Sequence, residues 1–313
     1  MPTEQEYDEG PYDDPYDDDA YDDGRGGGRR RPGVGCWLVV VAVLVGLVAA
    51  GWFTRTQPLL SNRCVAVVGQ DSYDLQPDQA RNAALISAVS IRRGLPARAA
   101  SIAIATAIQE SKLRNIDYGD RDSLGLFQQR PSQGWGTPAQ IMDPIYSTNA
   151  FYDALVKIDG YEQMVITEVA QAVQRSAFPD AYGFHEPAAR AFASALTGHS
   201  PGGLTCRLRP LELATEAASS SGFTPRADAV RSALEVEAGL TRVSVGEDSR
   251  TLVVTTGSDT GSWATASWAV ASADDLQVAS VSVDGQTWQR GSDSQWTDDP
   301  DAPTDGTVHI TVA

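Results

Sequence analysis

The hydrophobic pattern divides the chain into a long apolar segment, a helical stretch and a mixed final stretch. In the helical stretch, apolar residues recur at helical spacing, and Gly or Pro marks the ends of several runs. The predicted helices cover residues 77–93, 96–111, 145–157, 159–175 and 187–197. Between them, residues 112–136 are dense in Asp, Gly and Gln, which indicates a loop. We therefore expect a mainly α-helical domain over residues 64–208, preceded by a stalk at 54–63.

The last hundred residues, 209–313, show shorter runs of apolar residues. Strands are predicted at 241–245, 250–256, 278–283, 287–290 and 307–312, and helices within 211–239 and at about 262–276. This pattern predicts a small α+β domain, to which no motif assigns a role. Its tryptophans have a spacing typical of core packing, and a carbohydrate-binding platform is the alternative: Trp263, Trp268, Trp288 and Trp296.

The apolar segment at residues 33–53 contains 21 residues without a charge. As a helix it would be about 31 Å long, close to the hydrocarbon thickness of a bilayer. We expect a single transmembrane helix, and the arginines at 25 and 29–31 place the N-terminus in the cytoplasm and the bulk of the chain outside the cell. A cleaved signal peptide ending near Ala49-Ala50-Gly51 is the alternative.

The N-terminal residues are distinguished by their high density of acidic side chains. Residues 1–24 carry eleven Asp and Glu and almost no aliphatic residue, so residues 1–32 are predicted to be a disordered acidic cytoplasmic tail that ends in an Arg patch. The rest of the chain contains 30 acids against 20 bases. Because this remainder is also acidic, nucleic acid is not an expected partner.

The cysteines and histidines limit the other chemistry. Cys64 and Cys206 lie at the borders of the predicted helical domain, where a disulfide between them would close a long loop; two unrelated thiols are the alternative. The three histidines show no ligand spacing, so neither a metal nor another cofactor is expected.

One carboxylate ends the most apolar predicted helix. Residues 99–108 are almost all apolar or small, and Glu110 and Ser111 follow them. Burial and the negative end of the helix dipole both disfavour the charged form, so we expect the pKa of Glu110 to be raised. A protonated carboxyl can donate its proton to the leaving oxygen of a glycosidic bond.

The loop after this helix offers groups that suit a sugar ligand. Gln128 and Gln129 supply amides, Ser123 supplies a hydroxyl, and Gly125 lets backbone approach a substrate. Aromatic rings that could stack on sugar faces are Tyr118, Phe127 and Trp135.

The Glu110-Ser111 pair, followed by Ser123-Leu-Gly-Leu-Phe-Gln128, resembles the lysozyme-like superfamily, and most closely its soluble lytic transglycosylase branch. Asp143-Pro144 and Asn149 also resemble that family, and the likeness covers about residues 75–200. It implies a lysozyme-like helical domain with Glu110 as catalytic acid and base and peptidoglycan glycan strands as substrate. The residues expected to bind the substrate are Ser111, Ser123, Gly125, Gln128, Gln129 and Tyr182. The acidic tail and single span are similar to actinobacterial membrane-anchored wall proteins.

One segment departs from the family. The family's Ala-Tyr-Asn, whose Tyr supports the catalytic Glu, is absent from residues 170–176, and Tyr182 is the candidate substitute. We expect a membrane-anchored peptidoglycan-cleaving glycosidase or lytic transglycosylase. A catalytically inactive wall-binding or scaffolding protein is the alternative, and the sequence identifies no protein partner.

Overall fold

The helical elements follow the predicted pattern closely. The computed structural model describes residues 62–174, 179–212, 216–246, 248–291 and 294–313. Between residues 77 and 196 its α-helices are α1 (Pro77–Arg92), α2 (Ala97–Ser111), α3 (Pro138–Met142), α4 (Pro144–Leu155), α5 (Ile166–Gln174) and α6 (Glu186–Leu196). Short 3-10 helices span Pro131–Gln133 and Pro179–His185. The predicted helix at 159–175 is shorter than expected, because residues 159–164 form turns.

Helix α2 is the central helix of this part. Pro96, in extended conformation, precedes its first turn, and Lys112 ends it in the left-handed conformation. All residues from Ala99 to Ala107 are buried, as a helix apolar on all faces requires. Helices α1, α5 and α6 contact α2. The loop at 112–136 therefore begins at the end of a helix that its neighbours hold in place.

A three-stranded antiparallel sheet closes the helical part, and the sequence did not predict it. The strands β1 (Arg63–Val68), β2 (Asp71–Leu75) and β3 (Leu204–Arg207) pair in the order β2-β1-β3. Cys64 lies opposite Cys206 in this pairing, and the two are joined in a disulfide across a sequence separation of 142. Strand pairing and the disulfide therefore both hold together the two ends of the segment that runs from Cys64 to Cys206.

The final stretch builds a second antiparallel sheet. Its strands are β4 (Val243–Val245), β5 (Thr251–Thr255), β6 (Val278–Val283), β7 (Gln286–Gln289), β8 (Trp296–Asp298) and β9 (Thr307–Val312), in the order β4-β5-β9-β6-β7-β8. Helix α7 (Pro225–Ala233) continues into a π-helical turn, Leu234–Ala238, and α8 (Asp259–Ala271) follows β5. Helix α8 contacts α1, α6 and β3 as well as β6, within one compact unit of residues 56–313.

The predicted fold class is wrong. With eight α-helices and two antiparallel sheets of nine strands among the described residues, the fold is mixed α+β instead of mainly α with a small appended α+β domain. The error arose in part because residues 64–76, which contain nearly all of β1 and β2, were included in the helical domain with no strand predicted there. β1 and β2 pair with each other in a local hairpin that the sequence analysis missed. β3, the second partner of β1, lies far along the chain, so local periodicity did not reveal that pairing.

The expected single-pass membrane topology, with the bulk of the chain extracellular, is also contradicted. Among the described residues, no helix is long and apolar enough to cross a membrane. The two longest, α1 and α2, have 16 and 15 residues, and both carry charged side chains. The apolar segment at 33–53 and the acidic tail at 1–32 lie outside the residues that the structure describes.

Candidate functional site

Glu110 occupies the last turn of α2, where its carboxyl group is partly buried. Burial is the largest influence on this group and raises its pKa, because a low-dielectric environment disfavours the charged form. Hydrogen bonds from the side chains of Tyr182 and Gln174 lower the pKa but do not offset burial. Glu110 therefore holds its proton to a higher pH than an ordinary glutamate.

Tyr182 supplies the hydroxyl that the resemblance led us to look for. It lies in the 3-10 helix Pro179–His185, and its ring is fully buried. Its hydroxyl donates a hydrogen bond of 2.6 Å to Glu110 Oε1. The structure thus brings Tyr182 to the carboxyl group from a different segment than residues 170–176.

Gln174 is a site residue that the sequence reasoning did not select. It is the last residue of α5, and its side chain hydrogen-bonds to Glu110. Its Nε2 also donates to Phe127 O at 2.6 Å. Gln174 therefore connects the carboxyl group to the loop after α2. Its position within residues 170–176, where the family's Ala-Tyr-Asn would lie, was the signal in the sequence that could have identified it as a site residue.

Ser111 and Ser123, both predicted to bind substrate, are buried. The Ser111 hydroxyl lies 2.7 Å from Leu126 O and 3.1 Å from Ala107 O, and it accepts a hydrogen bond from Arg114 N. This serine fastens the end of α2 to the loop. It thereby fixes the direction in which the preceding Glu110 side chain leaves the helix.

Gly125 is also buried, and it has a positive φ of 76°. A Cβ atom at this position would lie 2.8 Å from Ile141 O, a backbone atom that a rotamer change cannot move. The glycine is therefore required by the close approach of the loop to the chain at Ile141.

The two loop amides differ in exposure. Gln128 is half-buried, has a positive φ of 47°, and its Nε2 lies 3.2 Å from Tyr118 O and 3.3 Å from Gly125 O. Gln129 is buried and donates from Nε2 to Ser147 O at 3.1 Å, which ties the loop to α4. Only Gln128 is close enough to the surface to meet a ligand.

Two of the nearby acids have structural tasks. Asp122 accepts hydrogen bonds from Arg130 Nε, Ser132 N and Ser132 Oγ, and the Arg130 guanidinium holds its pKa well below the usual range. Asp143 caps the N-terminus of α4 by accepting from Ile145 N. Both carboxylates are therefore engaged in local structure, and the lowered pKa of Asp122 does not suit a proton donor.

A groove of about 540 Å³ lies beside Gln174. It is lined by Gln133, Trp135, Ala154, Lys157, Ala172, Val173 and Gln174. Trp135 gives the groove an aromatic wall, and the amides and the lysine give it polar groups, a combination that suits a carbohydrate. Phe127 is instead a core residue, fully buried and stacked on Phe151 at 4.6 Å between ring centroids.

The tryptophans of the final stretch belong to the core. Trp263, Trp268 and Trp288 are at most 4% exposed, and Trp296 Nε1 donates to Leu204 O at 2.9 Å. They do not form an exposed platform. Within the described ranges, no group of three or more metal-ligating side chains is found.

Comparison with known proteins adds no relative: neither models of protein families nor curated proteins match this chain. The likeness to lysozyme-like proteins therefore rests on the residues quoted above.

Proposed function

We propose that this chain cleaves the glycan strands of peptidoglycan, with Glu110 as the general acid and base. The single observation that carries the proposal is the contact between Glu110 and Tyr182. A half-buried carboxyl group with a raised pKa, oriented by a tyrosine hydroxyl, matches the requirements of a glycosidic proton donor.

The proposed reaction begins with proton transfer. Protonated Glu110 delivers its proton to the glycosidic oxygen as the bond to the anomeric carbon breaks. The carboxylate that remains is stabilised by the hydrogen bonds from Tyr182 and Gln174. It then accepts a proton from the hydroxyl that attacks the anomeric carbon, which restores the starting state.

A lytic transglycosylase outcome is the form that we favour. Hydrolysis with two carboxylates needs a second acid placed for that role. Asp122 and Asp143 are engaged with neighbouring backbone and side chains instead. In the transglycosylase mechanism that the resemblance implies, one glutamate serves both steps and the acetamido group of the substrate assists.

The test is incubation of the purified full-length chain with peptidoglycan, followed by mass spectrometry of the soluble fragments. We expect soluble glycan fragments that have not gained a water molecule at the cleaved bond, as a transglycosylase outcome requires. Glu110→Gln should reduce the rate by at least about a hundredfold, as loss of a general acid does. Glu162→Gln, an exposed glutamate, serves as the matched control. Absence of soluble products, or full activity of Glu110→Gln, would refute the proposal.

A second candidate function is binding to wall material without turnover. It is favoured by the side chains of Ser111 and Gln129, which are buried and used in hydrogen bonds within the chain. Sedimentation with insoluble peptidoglycan, with no fragments released, is the result that would support binding alone.

A further inference from the structure

A second hydrogen bond joins the two segments that bring Tyr182 and Glu110 together. His185 Nε2 lies 3.0 Å from Gln109 Oε1, and Gln109 directly precedes Glu110 in α2. His185 belongs to the same 3-10 helix as Tyr182 and lies three residues further along it. Residues three apart share one face of a 3-10 helix. The contacts Tyr182–Glu110 and His185–Gln109 are therefore two links between that face and the last turn of α2.

The chemistry of the second link defines the state of the His185 ring. The amide oxygen of Gln109 can only accept a hydrogen bond, so the ring donates from Nε2. Burial lowers the pKa of His185, because a partly desolvated ring disfavours the charged form. At pH 7 the ring is thus neutral and carries its proton on Nε2. The link supplies a donor to α2 without adding a charge.

The 3-10 helix lies between two α-helices, and its position decides where the Tyr182 hydroxyl points. It contacts both α2 and α5, and a Cβ atom at Gly183 would lie 3.0 Å from Thr167 Oγ1 of α5. His185 is also the residue from which α6 begins, and α6 packs along α2. His185 is therefore at the corner where the 3-10 helix, α2 and α6 meet. The Tyr182 hydroxyl stays on Glu110 only while the 3-10 helix stays against α2.

We propose that His185 is a positioning residue for the proton donor Glu110. Its hydrogen bond to Gln109 holds the 3-10 helix at the place where the Tyr182 hydroxyl meets the carboxyl group, so it acts on Glu110 through Tyr182. The effect on cleavage rests on the proposed function. The effect on the pKa of Glu110 is expected whether or not the chain cleaves glycan.

The first test measures the pKa of Glu110 in the full-length protein by NMR of glutamate labelled with carbon-13 at Cδ, with Glu110→Gln to assign the signal. His185→Ala should raise this pKa, as Tyr182→Phe should, because the Tyr182 hydrogen bond lowers it. In the Tyr182→Phe background, His185→Ala should cause no further rise, since the hydroxyl through which it acts is absent. An unchanged or lowered pKa in His185→Ala, or equal rises in both backgrounds, would overturn the proposal.

A set of variants separates positioning from a general loss of stability. His185→Gln is the rescue variant, because its amide nitrogen can replace the imidazole Nε2 as donor to Gln109, and the pKa of Glu110 should stay at the wild-type value. Gln109→Ala should reproduce His185→Ala, and the double variant should match either single one. His199→Ala is the control, since His199 is exposed and its Nδ1 hydrogen-bonds to Thr197 Oγ1 at 3.0 Å instead. A rise in His199→Ala or His185→Gln as large as in His185→Ala would contradict the assigned role.

The second test follows peptidoglycan cleavage and separates this proposal from the proposed function. His185→Ala should lower kcat by about three- to tenfold, the range that the net contribution of one hydrogen bond supplies, with little change in KM. The alkaline fall of kcat/KM should move to higher pH. Absence of cleavage by every form, with the pKa of Glu110 responding as expected, would refute the proposed function and support the positioning. Cleavage with the same alkaline limb in wild type and His185→Ala would overturn the positioning and leave the proposed function standing.

Discussion

Tyr182 and Glu110 are 72 residues apart in the chain, and the tyrosine hydroxyl donates a 2.6 Å hydrogen bond to the glutamate Oε1. Tyr182 is fully buried, so its hydroxyl has little freedom to leave this position. The contact both orients the carboxyl group at the end of α2 and favours its charged form. It opposes burial, which favours the neutral form.

Tyr182→Phe tests this balance. Loss of the donor removes one influence that lowers the pKa of Glu110, so the pKa should rise further. We expect the fall of kcat/KM on the alkaline side to move to higher pH. We also expect turnover to drop by about tenfold or more, because the carboxyl group loses its orientation. The measurement is a pH profile of peptidoglycan cleavage.

Tyr152→Phe is the matched control. Tyr152 is equally buried, and its hydroxyl donates to Ile86 O at 3.0 Å, a contact separate from Glu110. Both variants should lose about 1 kcal/mol of stability with their hydrogen bond, yet only Tyr182→Phe should shift the pH profile. A shift of the same size in both variants would contradict the assigned role of Tyr182.

The raised pKa of Glu110 also predicts a pH dependence of stability. The folded state binds this proton more tightly than the unfolded chain does, so the free energy of unfolding falls as pH rises from about 4.3, the unfolded value, through the folded pKa. Glu110→Gln should therefore be more stable than the wild type at pH 7 and similar to it below pH of about 4. Urea titrations at both pH values measure this, with Glu162→Gln as an exposed control. A Glu110→Gln protein less stable at pH 7 would count against a costly buried carboxylate.

A buried ion pair joins the final stretch to α1. Glu237 is 4% exposed, forms a two-pronged pair with Arg81, and accepts from Trp268 Nε1 at 2.9 Å. Glu237→Gln should cost about 2–4 kcal/mol of unfolding free energy, because the partly buried Arg81 charge loses its main partner. Glu235→Gln, in the same π-helical turn but exposed, should change it by less than about 0.5 kcal/mol. Equal effects in denaturant titrations would show that the buried pair is unimportant.

A comparison of two glycines with positive φ distinguishes the cost of backbone strain from the cost of a steric collision. Gly134 has φ of 83° and open space where a Cβ would lie, so Gly134→Ala should cost about 1 kcal/mol from strain alone. Gly125→Ala adds the collision with Ile141 O and should cost about 2–4 kcal/mol. Thermal unfolding of both variants makes the comparison. Similar losses would mean that the loop can move away from Ile141.

The disulfide should contribute substantially to stability. Replacing both Cys64 and Cys206 by serine should lower the unfolding free energy by about 2–5 kcal/mol, mainly by freeing a long loop in the unfolded chain. Adding a reductant should destabilise the wild type and leave the double variant unchanged. A wild type insensitive to reductant during unfolding would disprove a stabilising role for the bridge.

Local patterns predicted most helices because a helix satisfies its backbone hydrogen bonds within a few residues of sequence. Helix α2 begins after Pro96 and ends at Ser111, as its apolar run predicted. The pairing of β1 with β3 has no such local signal, since β3 lies across the disulfide-bonded loop. The fold class was wrong for this kind of reason: short segments were interpreted without their tertiary partners.

The sequence by itself determined that Glu110 ends an apolar helix and that an amide-rich loop follows it. Helical periodicity and glycine content are local properties, so they could be read along the chain. Only the tertiary structure decided which groups meet Glu110. Tyr182 and Gln174 reach Glu110 from two separate segments. The tertiary structure also showed that Gly125 and Gln129 shape the loop. Side-chain contacts between distant segments arise from packing of the whole core, which no single stretch of sequence encodes.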